Sequence, residues 1–364
     1  KKDRIWMLEA LKLAQFRKGL THPNPAVGAV VVLDDRIVSS GYHFAAGCPH
    51  AEVNALDVSC DYRRATLYVT LEPCCHFGST PPCTDLIIAK AIKRVVFSLY
   101  DPNPLVLGQG QQVLRSHGID CVYLPLAEVS SFYEDYVYWR RRKRSWVTAK
   151  LAMTNNRMIA HEDGSPMSIT GAEVSQFTHR SRKIHSALLT SVNTVLADNP
   201  RFNVRLDHEV IQKTVLVVDR SLRLPRSSQL LSTAKELILL HTSSDDRRIQ
   251  SHEREGIECW YVGDEHAYMD LDSVLRKTAL RGYHSLWLEC GGQLLASFLA
   301  EKRLQRLCLA VSPCGPDAGM SLCFKSIVTT PKAVFGRIED LGLDTLFVLD
   351  FLDSIKTEAM SAAL

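Results

Sequence analysis

Two separated stretches of this chain must be brought together by whatever fold it adopts. One is His50-Ala51-Glu52; the other is Glu72-Pro73-Cys74-Cys75-His76, with Cys83 behind it. An imidazole and two thiolates form a Cys₂His set, which suits zinc with one coordination position left for water. An open position marks a catalytic site rather than a structural one. The pattern puts His50 at the start of one predicted helix and Cys83 at the start of the next. Backbone N–H groups and the positive end of a helix dipole favour the thiolate there, which is the ligating form. Pro73, Pro81 and Pro82 restrict the unfolded loop and keep its cysteines near a bound geometry. Cys74 is the expected second ligand because it directly follows Pro73. Cys75 reads as a small packed residue, and His76 as a neighbour of the ligands or a substrate contact. A purely structural zinc, or buried thiols without metal, are the blander alternatives.

Glu52 follows the imidazole by two residues, on the same first helical turn, and is not needed to complete the ligand set. A zinc-coordinated water has a pKa of roughly 7. A carboxylate beside it can take the proton and pass it to a departing nitrogen. That combination performs hydrolytic deamination of an amidine-like carbon. His-x-Glu with Pro-Cys is the pattern of zinc nucleobase deaminases.

The rest of the chain bounds the fold around this cluster. Its 364 residues are 46% hydrophobic and 23% charged, enough for about two domains with full cores. The longest apolar run, 26–33, is far short of the ~20 residues a membrane-spanning helix needs. The net charge of +3 is too weak to imply nucleic acid by itself. Eleven cysteines, an odd number, with no visible export signal, lead to the expectation of a reduced, cytoplasmic protein.

Periodicity predicts helices at 3–18, 51–58, 83–91 and 109–116, with strands at 26–33, 37–43, 66–71, 94–99 and 120–124. Beyond a basic run, Arg140-Arg141-Arg142-Lys143-Arg144, strands are predicted at 146–151, 187–190, 214–219, 237–240, 259–262, 285–289 and 307–311. Helices at 172–184, 270–280 and 293–301 separate some of them, and 242–256 reads as a polar surface loop. The basic run reads as a solvated helix end and linker, or else as a phosphate or nucleic-acid patch. The expectation is an α/β protein of two domains, 1–145 and 146–364.

Several further motifs are present. They include Pro23-Asn24-Pro25, Gly41-Tyr42-His43, Pro49-His50-Ala51-Glu52, the eight residues between Cys74 and Cys83 ending Thr80-Pro81-Pro82, and Asp101-Pro102-Asn103-Pro104. The second half adds Lys150-Leu151-Ala152, Ile169-Thr170-Gly171, Ala197-Asp198-Asn199-Pro200, Val204-Arg205 and Glu289-Cys290-Gly291-Gly292. Together, and over essentially the whole chain, these resemble the bifunctional riboflavin-biosynthesis deaminase/reductase family. The resemblance implies a three-layer α/β/α domain of the cytidine-deaminase type, followed by a dihydrofolate-reductase-like α/β domain. The first would deaminate 2,5-diamino-6-(5-phosphoribosylamino)pyrimidin-4(3H)-one. The second would use NADPH to reduce the ribosyl group of the product to ribityl.

On these positions His50, Cys74 and Cys83 would bind zinc, Glu52 would shuttle protons, and Asn24, His43 and His76 would hold the pyrimidine. Lys150, Ser168, Asp198, Arg205 and Glu289 would hold the reductase substrate, and Thr170, Thr194, Asp219, Gly291 and Gly292 the NADPH. Asp219 reads equally as a strand-end turn residue, and Gly291-Gly292 equally as a plain helix start. Lys150 within an apolar strand is more telling, since a buried lysine needs a reason. The partner expected is a phosphorylated small molecule, with no nucleic acid and no membrane, and the chain is expected to be a homo-oligomer. The long Cys74–Cys83 spacing and the small net charge set aside a deaminase acting on nucleic acid.

Departures cluster in particular places. Ser79 stands where the family has a Lys or Arg that grips the substrate phosphate. The family's Ser-Leu-Asp-Gly-Arg-Thr-Ala becomes Thr154-Asn155-Asn156-Arg157-Met158-Ile159-Ala160, Ser168 replaces a Trp, and Gln305-Arg306 replaces an acidic pair. They raise a second expectation: an active deaminase carrying a non-catalytic reductase domain.

Overall fold

In the computed structural model, the apolar run becomes strand β1 (Gly28–Leu33), which turns through Asp34 and Asp35, both at positive φ, into the antiparallel strand β2 (Arg36–Tyr42). The structure describes residues 2–57, 61–77, 80–104, 106–161, 165, 167–313, 320–321 and 333–351. Ser79 lies outside the described residues. The chain divides into two compact units, Lys1–Lys143 and Arg144–Leu364.

In the first unit β1 also pairs with β3 (Thr66–Val69). Parallel strands β4 (Arg94–Phe97) and β5 (Asp120–Tyr123) extend the sheet to the order β2-β1-β3-β4-β5. Alternate side chains point to opposite faces of a strand, and both faces here are apolar. Ala29, Val31, Leu67, Val95 and Phe97 pack against α2 (Ala51–Ala55), α3 (Cys83–Ala89) and α4 (Gln109–Ser116). Val30, Val32, Tyr68 and Val96 pack against α1 (Lys2–Gln15), α5 (Ala127–Phe132) and α6 (Glu134–Arg142). The result is three layers. Two glycines set the helix-to-sheet distances near the zinc motif. A Cβ on Gly41 would meet Ala51 O and Ala55 N at 2.5 Å, so only glycine lets α2 press onto β2. A Cβ on Gly110 would meet Pro73 O at 2.1 Å, and its lack lets α4 close on the cysteine loop.

The second unit carries a nine-stranded sheet. Seven of its strands are parallel, in the order β13 (Glu258–Tyr261), β12 (Glu236–His241), β11 (Thr214–Val218), β8 (Ala187–Ser191), β14 (Ser285–Glu289), β6 (Trp146–Thr154) and β15 (Arg306–Ser312). An antiparallel hairpin, β18 (Asp344–Phe351) and β17 (Ala333–Leu341), closes one edge. One face is covered by α11 (Leu271–Leu280) and α12 (Gly292–Ala300), the other by α7 (Ala172–Ile184), α8 (Val192–Asp198) and α9 (Leu230–Thr233). Parallel sheets put ligand-binding crevices outside the carboxyl ends of their strands. Shorter strands β7 (Met158–Ala160), β9 (Val204–Leu206), β10 (Glu209–Ile211) and β16 (Met320–Ser321) form two peripheral pairs.

Both units are α/β, as the strand–helix alternation predicts. The stretch 242–256, expected as a loop, contains helix α10 (Asp246–Glu253). Its only large apolar residue is Ile249 and none of its residues is buried, so it leaves no periodic apolar signal. Asp245 starts it by accepting the Arg247 and Arg248 N–H groups. The basic run begins within α6, which ends at Arg142, with Lys143 in the left-handed conformation. Among the described residues no helix is long and apolar enough to cross a membrane.

Candidate active sites

The first site forms where three loops meet. His50 is the N-cap of α2, Cys83 the first residue of α3, and Cys74 lies in the loop after β3. That loop is fastened to α3 by Cys83 N–H donating to Cys74 Sγ (3.3 Å) and Thr84 N–H to Cys74 O (3.2 Å). His50 Nδ1 lies 3.3 Å from Cys83 Sγ and 3.6 Å from Cys74 Sγ, and all three ligand atoms fall within 4.8 Å of one another. Tetrahedral zinc with bonds of about 2.0–2.3 Å spaces its nitrogen and sulfur ligands by about 3.6 Å. The three donors, in kind and spacing, therefore fit that ion. His50 Nε2 is 3.4 Å from Thr80 Oγ1, a partner that orients the ring.

Glu52 is buried beside these ligands, 4% exposed. Burial, reinforced by the Cys74 sulfur, raises its carboxyl to about 7, with His50 opposing. The Cys74 thiol is lowered by its hydrogen bonds with Cys83 and His50. His43 is buried, and burial pushes its pKa down. As a neutral ring, it donates from Nδ1 to Pro49 O (3.1 Å) and accepts at Nε2 from the Asn24 amide (3.1 Å). Asn24 is thus held by His43 with its amide oxygen left over. Asn24, His43, His50, Glu52, Cys74 and His76 line one pocket of about 240 Å³. Asp101, Asn103, Tyr136 and Arg140 also line it. None of the four has a role assigned from sequence, although Asp101 and Asn103 belong to the Asp101-Pro102-Asn103-Pro104 motif. Asp101 Oδ1 accepts from Asn103 N–H (2.8 Å) and from the Tyr136 hydroxyl (3.2 Å).

The second site is a cleft of about 950 Å³ in the second unit. Lys150 on β6 and Glu289, the last residue of β14, are register partners on neighbouring parallel strands. Burial lowers the pKa of Lys150, with Glu289 opposing. Glu289 accepts from Arg182 Nε (2.6 Å), Arg182 Nη2 (2.9 Å) and Trp287 Nε1 (2.8 Å). Burial pushes the Glu289 carboxyl up, but the Arg182 charge and bonds outweigh it, and the net direction is down. Sequence reasoning missed Arg182; it arrives from α7, and nothing in its local pattern marks it. Thr194, Asp198, Gly291 and Gly292 share the cleft with Lys150 and Glu289, and Gly291 caps α12 with open space where a Cβ would stand.

Four expected residues do not line this cleft. Asp219 is fully buried; its Oδ2 accepts the Leu224 N–H at 2.8 Å and ties the turn after β11, while its Oδ1 is buried without a partner. Arg205 turns its guanidinium to the Asn203 side chain. Ser168 and Thr170 alternate with Met167 and Ile169, which do line it, as neighbours do in extended chain. The divergent segment 154–160 forms a turn in which Arg157 N–H donates to Thr154 O at 2.9 Å and Arg157 has φ +72°. Arg157 occupies the family's glycine position, and that left-handed backbone is the reason for a glycine there.

A zinc-type deaminase pocket and a cleft at the carboxyl ends of a parallel sheet define a two-unit enzyme. Comparison with known proteins agrees. Residues 1–99 match the cytidine and deoxycytidylate deaminase zinc-binding region, and residues 145–323 match the RibD C-terminal domain. The riboflavin biosynthesis protein RibD of Aquifex aeolicus is 38% identical over 347 residues, covering 94% of this chain and 96% of that protein. A deaminase/reductase structure from Thermotoga maritima is 31% identical, with TM-score 0.84, covering 96% of this chain and 98% of that one. Acinetobacter baumannii RibD is 28% identical with TM-score 0.84, covering 96% and 99%. The chain belongs to the RibD family of bifunctional riboflavin-biosynthesis enzymes. Its cofactors are zinc in the deaminase domain and NADPH in the reductase domain.

Proposed function

We infer that the chain catalyses two consecutive steps of riboflavin biosynthesis, with the deaminase in 1–145 and the reductase in 146–364. The first step hydrolyses the amine of 2,5-diamino-6-(5-phosphoribosylamino)pyrimidin-4(3H)-one. The second reduces the ribosyl group of 5-amino-6-(5-phosphoribosylamino)uracil to ribityl. The observation that carries the reading is the buried Glu52 beside a donor set, His50, Cys74 and Cys83, that fits zinc.

His50, Cys74 and Cys83 would hold zinc, which when bound would supply a water made acidic near neutrality. Asn24, fixed by His43, orients the pyrimidine through its free amide oxygen. Glu52, with its carboxyl raised toward neutrality, exchanges protons at that pH: it takes one from the attacking water and gives one to the leaving nitrogen. His76 closes the same pocket. In the second unit NADPH supplies the hydride. Lys150, Glu289 and Arg182, with Asp198 and Thr194 lining the same cleft, would hold the substrate. Gly291 and Gly292 offer backbone N–H groups to a phosphate at the start of α12.

The reactants are phosphorylated small molecules, and none of the eight described cysteines is in a disulfide. Both favour a reducing cytoplasm. Light scattering on purified protein tests the accompanying assignment of a homo-oligomer. The decisive assay follows ammonia and NADPH separately on one sample. Ammonia release first, with NADPH oxidation only after deamination, supports the reading. Ammonia without any NADPH binding or oxidation would instead leave a deaminase with a non-catalytic second domain.

A further inference from the structure

The deaminase pocket must hold more than a base if its substrate carries a ribosyl phosphate. The chain has no cation at position 79, where Ser79 stands. Among the described residues lining the pocket, one carries a fixed positive charge: Arg140, in the last turn of α6.

Its surroundings leave one of its donors unused. Its Nε is buried without a hydrogen-bond partner, while Asp101 and the Tyr136 hydroxyl share the field of its charge. The guanidinium carbon lies 5.1 Å from the Trp139 ring centre and 5.9 Å from that of Tyr136, so aromatic faces hold it in place. The nearby acids also hold other partners. Glu72 accepts the Gly108 and Gln111 N–H groups at 2.9 and 3.1 Å, and Asp101 Oδ1 takes Asn103 and Tyr136. Neighbouring Arg141 is exposed and does not line the pocket. A half-buried guanidinium with an unused donor beside a polar pocket suits an anion, and its planar fork matches phosphate oxygens in pairs.

We propose that Arg140 binds the phosphate of the deaminase substrate and sets the preference for the phosphorylated pyrimidine riboside over the unphosphorylated one. The proposal rests on the deaminase reading above. It assigns the basic run one functional member and leaves Arg141 as solvated surface.

The test compares ammonia release from the phosphorylated substrate and from its dephosphorylated riboside, over a range of concentrations. The proteins are the zinc-loaded full chain and its Arg140→Gln, Arg140→Lys and Arg141→Gln variants, with zinc content measured for each. A charge-assisted hydrogen bond is worth about 10- to 100-fold in affinity. The kcat/KM ratio of phosphorylated to unphosphorylated substrate is therefore expected to fall about 10- to 100-fold in Arg140→Gln, mainly through KM. Arg140→Lys is expected to keep part of the ratio, and it carries the test if the glutamine variant does not fold. Arg141→Gln is expected to keep all of it. An unchanged ratio in the Arg140 variants, even with both rates lowered together, overturns the role of Arg140. Absence of ammonia from both substrates with the wild-type chain overturns the deaminase reading, and this proposal with it.

Discussion

Arg182 grips Glu289 with two bonds, Nε to Oε1 at 2.6 Å and Nη2 to Oε2 at 2.9 Å, and both side chains are largely shielded from water. The pair joins α7 to the end of β14 and sets one wall of the reductive cleft. Removing one partner strands the other. Arg182→Met is expected to cost about 3–5 kcal/mol of stability in urea unfolding, the range for breaking a buried pair. It is also expected to lower NADPH oxidation on the deaminated substrate at least about tenfold. Arg182→Lys recovers charge but not the paired bonds, and should fall between.

The role proposed for Glu52 is to carry protons, not to hold metal. Glu52→Gln is expected to lower ammonia release about 10²- to 10⁴-fold, the usual effect of a positioned acid–base group. Elemental analysis should find zinc undiminished in that variant. Near-normal deamination would remove Glu52 from the mechanism.

Chelation separates the two activities. Stripping zinc should abolish ammonia release, because His50, Cys74 and Cys83 lose the ion they are spaced for. NADPH oxidation with already deaminated substrate should continue, since Lys150, Arg182 and Glu289 belong to the other unit. Re-adding zinc should restore the first readout alone.

Stability in mild acid should reflect His179. Its Nδ1 accepts the Arg205 N–H at 3.1 Å, and burial, with the charges of Arg182 and Arg205, lowers its pKa from 6.5 to about 4. The folded state resists protonation that the unfolded chain accepts. The stability His179 contributes is therefore complete above about pH 6.5 and is lost as pH falls through about 4. His179→Gln, which keeps an acceptor and cannot titrate, should flatten the wild-type decline between pH 6.5 and 4 in urea midpoints.

The zinc set is legible in the sequence because each ligand sits at a marked boundary. Pro73 announces Cys74, Pro82 announces Cys83, and an apolar pattern begins after His50. Arg182 carries no such mark, and Asp101 and Arg140 are marked only as members of a motif and a basic run. They enter their sites from α7, the loop after β4 and α6, so only the chain topology reveals them. Asp219 goes the other way. An acid at a strand end can grip a ligand or a turn, and only the structure shows its complete burial and its bond to the Leu224 N–H. Helix α10 escapes periodicity because a polar segment can be helical by its N-cap alone.

Gly41 makes no bond to any reactant, yet α2 rests directly on its bare Cα. Adding one methyl there would push the helix outward and carry His50 and Glu52 away from Cys74 and Cys83 together. The alignment of both zinc-motif segments thus depends on a hydrogen atom in the wall behind them, and a side chain at residue 41 would tax the packing and the chemistry at once.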